Sequence, residues 1–126
     1  MDLQQRRNRA HSDRREGRST EWAKSDPHWT VRIEAAFDDL ANERDIGWMR
    51  TDPDRQIRNM AARYDRDNDR DLTWAREDPE PDVQSTAALA DYEAGRDTEW
   101  AMNGITGMLL RDKIRGREEI LRAAYM

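Results

Sequence analysis

Trp22, Trp48, Trp74 and Trp100 stand 26 residues apart, and no other feature of this chain limits its fold so strongly. A fixed interval of this length is the mark of one small unit copied several times, each copy burying its apolar face against the next. Such an array leaves a long open surface. Its expected work is to hold another molecule.

The match extends beyond tryptophan. Asp-Pro recurs at 26–27, 52–53 and 78–79, a β-branched residue at Val31, Ile57 and Val83, and Ala-Ala at 35–36, 61–62 and 87–88. From the Asp-Pro pairs onward, apolar residues fall at i, i+4 and i+5, one stripe of an α-helix. Aspartate before proline predicts a helix start, with Asp26, Asp52 and Asp78 as N-caps and proline in the first helical position. The paired alanines mark a close approach between helices. A shorter helix carries each tryptophan, opened by Ser19, Asp45, Asp71 or Asp97 and closed before the next Asp-Pro. Each copy is therefore expected to be a helical hairpin.

This reading sets the fold class as all-α, a short right-handed α-solenoid of helical hairpins with a 26-residue period. Residues 1–126 form one repeat domain. Residues 1–21 are an N-terminal half-repeat cap, with Ala10, Asp13 and Arg18 in the columns of Ala36, Asp39 and Arg44. Residues 22–47, 48–73 and 74–99 are regular copies, and 100–126 is a divergent C-terminal cap. In the last copy Asn103-Gly104-Ile105 replaces Asp-Pro. Met108, Leu109, Ile114, Ile120, Leu121 and Tyr125 then continue at helical spacing, implying an extra helix past Gly116 that closes the open end or serves as a dimer surface.

The chain is 39% charged and only 36% apolar, with a mean hydropathy of −1.21, a composition that suits disorder unless the copies stack. Stacking supplies the burial. Each indole can remove roughly 200 Å² from water, worth several kcal/mol at about 25 cal/mol per Å² before entropy is charged. With no cysteine there are no disulfides and no thiolate metal site, and no segment reads as a membrane span or a signal peptide, which places the protein in the cytoplasm.

Asp26-Pro27 with Val31-Arg32 and Ala35-Ala36, and Asp52-Pro53 with Ile57-Arg58 and Ala61-Ala62, resemble the second helix of HEAT-like repeats and of the related variant leucine-rich repeats. The likeness spans roughly residues 1–112, and the third copy departs from it by carrying Gln84 in the arginine position. It implies a structural ladder of Asp26, Asp52, Asp78, Arg32 and Arg58, beside the ladder of Trp22, Trp48, Trp74 and Trp100 that the spacing itself gives. It also implies a binding module without catalysis, and because a 26-residue copy is shorter than a typical HEAT unit and nearer the variant leucine-rich length, the first helix is expected to shrink to a single turn, of 3₁₀ type.

A further column, Arg18, Arg44, Arg70 and Arg96, lies one helical turn before the tryptophans, which predicts guanidinium groups over the indole faces, with Asp13, Asp39, Asp65 and Asp91 as carboxylate partners, in preference to a row of arginines that reads phosphates. Asp65 to Leu72 imitates the first half of a calcium loop. Arg70 and Arg76 stand where such a loop needs glycine and glutamate, so no metal is expected. His11 and His28 have no nucleophile or carboxylate pair at a usable spacing, so neither enzyme nor cofactor is expected.

Columns that vary between copies are free to serve a ligand. Trp29, Met60, Tyr64 and Tyr92 are the candidate partner-binding residues; Phe37 and Leu89 are assigned to core filling, and Trp29 and Tyr64 suit either role. Charge is uneven: residues 26–99 hold ten basic and twenty acidic groups, net −10, whereas residues 1–21 carry net +2. The acidic middle favours another protein as partner. The alternative is docking to nucleic acid or a ribosome through Arg6, Arg7, Arg14, Arg15 and Arg18.

Overall fold

The computed structural model describes residues 1–124; Tyr125, counted above with the C-terminal stripe, lies outside them. Among the described residues the chain is helical throughout its regular structure, with no strand. Five long helices are α1 (Leu3–Arg15), α2 (Trp29–Ala41), α4 (Arg55–Asp67), α6 (Pro81–Glu93) and α7 (Gly104–Ala124). Between them lie the one-turn helices α3 (Gly47–Arg50) and α5 (Thr73–Arg76), and 3₁₀ turns at Glu21–Ser25 and Glu99–Ala101. The tryptophan-bearing element is thus a single turn each time. Ser19, Asp45, Asp71 and Asp97 accept the backbone N–H two residues on, at 3.3, 2.8, 3.1 and 2.9 Å, and so tie down its first turn.

The long helices do not start at Asp-Pro. They begin three residues later, because the aspartate forms a side-chain turn across proline: Asp26, Asp52 and Asp78 each accept the N–H two residues ahead at 2.9 Å. Proline sets the turn and a later residue caps the helix. The ring of His28 takes the N–H of Thr30 at 3.2 Å, Asp54 takes that of Gln56 at 2.9 Å, and in α6 Pro81 supplies the first residue with no side-chain cap. α1 opens with a reciprocal capping box between Asp2 and Gln5.

α1, α2, α4 and α6 end alike. The residue after each C-cap is left-handed, Gly17 (φ 74°), Glu43 (φ 55°), Asp69 (φ 53°) and Gly95 (φ 74°). The next amide, of Arg18, Arg44, Arg70 or Arg96, then reaches back to the carbonyl of Asp13, Asp39, Asp65 or Asp91 at 2.8 to 2.9 Å. This is the six-to-one bond of a Schellman ending. Glu43 holds a conformation that glycine adopts without a Cβ clash, so Glu43→Gly is expected to stabilise the protein by about 0.5–1 kcal/mol, read as a raised urea midpoint. An unchanged or lowered midpoint would mean that the Glu43 backbone carries no strain.

Packing divides the chain into two compact units, Met1–Ile57 and Arg58–Met126. In the first, α1 and the Glu21–Ser25 turn pack on α2. Its core joins Ala10, Ala23, Val31 and Ala35, with Trp22 and Trp48 against them. In the second, α5 and α7 pack on α6. One cluster there holds Ala62, Leu72, Ala75, Val83 and Ala87 beside Trp74, and another holds Ala88, Leu89, Ala101 and Leu110 beside Ile114. All six paired alanines are fully buried, as a close helix approach requires.

α7 runs unbroken through Gly116, so the sequence past that glycine is not an extra helix. Its stripe covers α6 only in part: Ile114 packs on the cluster that holds Leu110, while Met108, Ile120 and Leu121 stay exposed. A mid-helix glycine weakens a helix without ending it.

Candidate functional site

Each series tryptophan donates its indole N–H to the aspartate nine residues earlier: Trp22 to Asp13 at 2.9 Å, Trp48 to Asp39 at 2.9 Å, Trp74 to Asp65 at 3.0 Å and Trp100 to Asp91 at 3.1 Å. The carboxylates are buried, while the indoles are half-buried or, at Trp100, 39% exposed. The tryptophans are therefore not a fully enclosed spine. An indole N–H needs an acceptor, and the buried carboxylate holds that edge while the ring covers the small side chains of the core.

The cations over the rings are not those of the Arg18 column. Arg9 lies 4.4 Å from the Trp22 centroid, Lys24 5.5 Å from that of Trp48 and Arg76 5.9 Å from that of Trp100. Lys24 and Arg76 also bind the node aspartates Asp39 at 2.9 Å and Asp91 at 2.7 Å. Arg18 and Arg96 spend their guanidinium groups on Asp13 and Asp91 at 2.7 and 2.8 Å, and Arg44 contacts Asp38 at 2.6 Å and Asp39 at 3.4 Å. Arg70 covers Tyr64 instead, at 5.0 Å. The helix ending explains this: it bends the Arg18 column back onto the helix just finished. For Lys24 and Arg76 the signal missed in the sequence was a basic residue two places after tryptophan, in Trp22-Ala23-Lys24 and Trp74-Ala75-Arg76.

Arginines of one copy pair with the Asp-Pro aspartate that follows in the chain. Arg32 grips Asp52 with two bonds of 3.0 and 3.1 Å, and Arg58 grips Asp78 at 2.7 and 3.3 Å. Arg6 holds Asp26 through its Nε at 2.7 Å. Where arginine gives way to Gln84, its amide oxygen accepts from the Thr106 hydroxyl at 2.6 Å.

Hydrogen bonds from Arg18 and then Trp22 hold the Asp13 carboxyl below its ordinary value of 3.8. Burial opposes ionisation at Asp26 and Asp91. The His28 amide and Arg6 outweigh it at the first, and Arg76, Arg96 and Trp100 at the second, so both also lie low. A carboxyl lowered on folding contributes stability that is complete above its unfolded value and lost as pH falls through the folded one. The urea midpoint should therefore be flat above about pH 5 and fall below about pH 4. Asp13→Asn and Asp91→Asn should flatten that fall, and an unaltered acid limb would remove these carboxylates from the account.

Of the residues proposed for partner binding, Tyr92 is 47% exposed, whereas Trp29, Met60 and Tyr64 are half-buried. Trp29 starts α2 and stacks on His28, with ring centroids 6.3 Å apart. Leu89 is core, but Phe37 is 42% exposed, with Arg14 lying 5.3 Å over its ring. In the N-terminal arginine set, Arg6 binds Asp26, Arg14 binds Glu34 at 2.6 Å, and Arg18 binds Asp13 and Glu16. Only Arg7 and Arg15 of that set extend into solvent without a carboxylate among the described residues.

Sequence reasoning overlooked a groove in the second unit, lined by Arg63 and Arg66 of α4, Leu89 of α6, and Lys113, Gly116, Arg117 and Ile120 of α7. Lys113 donates to two fully buried hydroxyls, Ser85 Oγ at 2.8 Å and Thr86 Oγ1 at 3.2 Å. Burial, followed by the charges of Arg63 and Arg66, pushes its ammonium down to about 8. A larger cleft, lined by Arg66, Arg70, Arg76 and Arg96, also carries Asp69, Asp71 and Glu93, so its charges offset one another.

Among the described residues no cluster of three or more His, Asp or Glu side chains is placed to hold a metal ion, and no helix is long and apolar enough to cross a membrane. No family model, curated protein or solved structure matches the chain.

Proposed function

We propose that this protein is a non-catalytic binding module, a short right-handed α-solenoid with a 26-residue period, that recognises another protein in the cytoplasm. The observation carrying this reading is the tryptophan–aspartate bond made at four places with the same nine-residue spacing. Residues that make it are spent on the scaffold. The variable columns, with Trp29, Met60, Tyr64 and Tyr92, are left to a partner. The engaged state of Arg6, Arg14 and Arg18 weighs against docking to nucleic acid or a ribosome through α1. A dimer through α7 would cover Ile120 and Leu121, and sedimentation at rising concentration detects it.

The test is capture from native extract on the immobilised full chain, with and without nuclease. One stoichiometric protein should be retained after nuclease treatment and lost with Trp29→Ala or Tyr92→Ala. Retention unchanged in both variants sinks the assigned face, and loss on nuclease treatment sinks the choice of partner class.

A further inference from the structure

We propose that the groove lined by Arg63, Arg66, Lys113 and Arg117 is a binding site for a phosphoryl group. This goes beyond the protein-binding reading and does not depend on it. Four cations from two helices line this one groove, and none of the residues lining it is acidic. Arg63 and Arg66 are one turn apart on α4, as are Lys113 and Arg117 on α7, so each pair presents its charges on the same side of its helix. Two of the four cations have a carboxylate partner: Asp67 contacts Arg66 at 3.2 Å and Glu93 contacts Arg117 at 3.3 Å. Among the described residues, Arg63 and Lys113 pair with no carboxylate.

Lys113 is the fixed point. Two buried hydroxyls on α6 take two of its three N–H groups and leave the third for a ligand. The groups acting on it are Arg63 and Arg66, which disfavour its charge, and Asp82, which favours it. Like charges gathered without an anion are unfavourable, and a bound anion would reverse that. A scaffold role does not account for the arrangement. Arg63 and Arg66 occupy columns filled by Phe37 and Leu40 in one copy and by Leu89 and Tyr92 in the next, so the fold does not demand arginine there.

The chemistry favours phosphate over carboxylate. A phosphate monoester brings close to two negative charges and three oxygens, enough to satisfy donors arriving from two helices, and guanidinium groups bind it through paired hydrogen bonds. A polynucleotide is disfavoured because residues 58–126 hold eleven basic and fifteen acidic groups, net −4, so charge beyond the groove repels a long anion. Leu89 and Ile120 line the same groove, an apolar wall for the carbon skeleton bearing the phosphate.

The experiment titrates the full chain with inorganic phosphate, phenyl phosphate and benzoate, following Lys113 side-chain resonances by NMR. Saturable binding is expected, tighter for phenyl phosphate than for inorganic phosphate and weakest for benzoate. Arg63→Gln and Arg66→Gln, with circular dichroism unchanged, should each weaken it roughly tenfold. Bound phosphate should move the Lys113 titration from about 8 toward its ordinary 10.5. Failure to saturate, affinity indifferent to both arginine variants, or a Lys113 titration that phosphate leaves in place would each overturn the proposal. Competition by single-stranded RNA that strengthens with chain length would replace it with a nucleic-acid site.

Discussion

Asp39→Ala is expected to destabilise the Met1–Ile57 unit by about 3–5 kcal/mol, the range for removing one partner of a buried charge network. The Asp39 side chain is fully buried. It accepts the Trp48 indole N–H at 2.9 Å, pairs with Lys24 at 2.9 Å and takes a longer contact from Arg44 at 3.4 Å. Alanine strands the indole donor and leaves the half-buried Lys24 ammonium with only Glu21, which lies at the surface. Asp39→Asn, which keeps one acceptor for the indole, should fall between alanine and wild type. Trp48→Phe removes the donor together with the five-membered part of the ring that packs on the cluster of Ala10 and Val31, at about 2–3 kcal/mol. Urea unfolding followed by circular dichroism measures all three. If Asp39→Ala costs no more than removing an exposed acid such as Glu119, Asp39 contributes nothing beyond surface charge.

Gly107→Ala should be nearly as damaging, by about 2–4 kcal/mol. A Cβ at this position would stand 2.1 Å from the Met102 carbonyl oxygen and 2.4 Å from its carbon. The obstacle is backbone rather than a movable side chain, so the start of α7 must shift away from the Glu99–Ala101 turn. Because Ala101 and Leu110 share a core cluster with Ala88 and Leu89, the shift opens that cluster as well. The expected signature is a lowered thermal midpoint with a changed Trp100 emission, while Trp22 and Trp48 in the other unit are unaffected. Gly116→Ala is the control: an added Cβ there meets nothing within 4 Å. Equal midpoints for the two variants would contradict the close approach.

Much of this was legible in the sequence because the determinants are local. The helical stripe and the alanine pairs follow from spacing and side-chain size, and the single-turn helices from the shortness of the copy. Asp26 was assigned the wrong role for a physical reason: Asp-Pro satisfies an N-cap and a side-chain turn equally well, and only the three-residue offset of the helix separates them. The Arg18 column was misread because one helical turn was assumed between Arg18 and Trp22, whereas the left-handed residue at Gly17 breaks the helix between them. Gly116 was taken for a boundary, although glycine merely lowers helix stability where proline would interrupt it. The groove was missed because Arg63 and Lys113 lie far apart in sequence, and large aromatic side chains drew the search for a binding face.

The aspartates of the four helix endings bind at two points: the main-chain oxygen of Asp13, Asp39, Asp65 and Asp91 receives an amide from the following segment, while the same residue's carboxylate holds an indole. Fraying of these helix ends is thereby coupled to release of a tryptophan. The amides of Arg18, Arg44, Arg70 and Arg96 sit outside regular helix, where solvent deuterium ordinarily enters within moments. Here they should exchange as slowly as helix interiors, so that four connecting segments become reporters of cooperative opening.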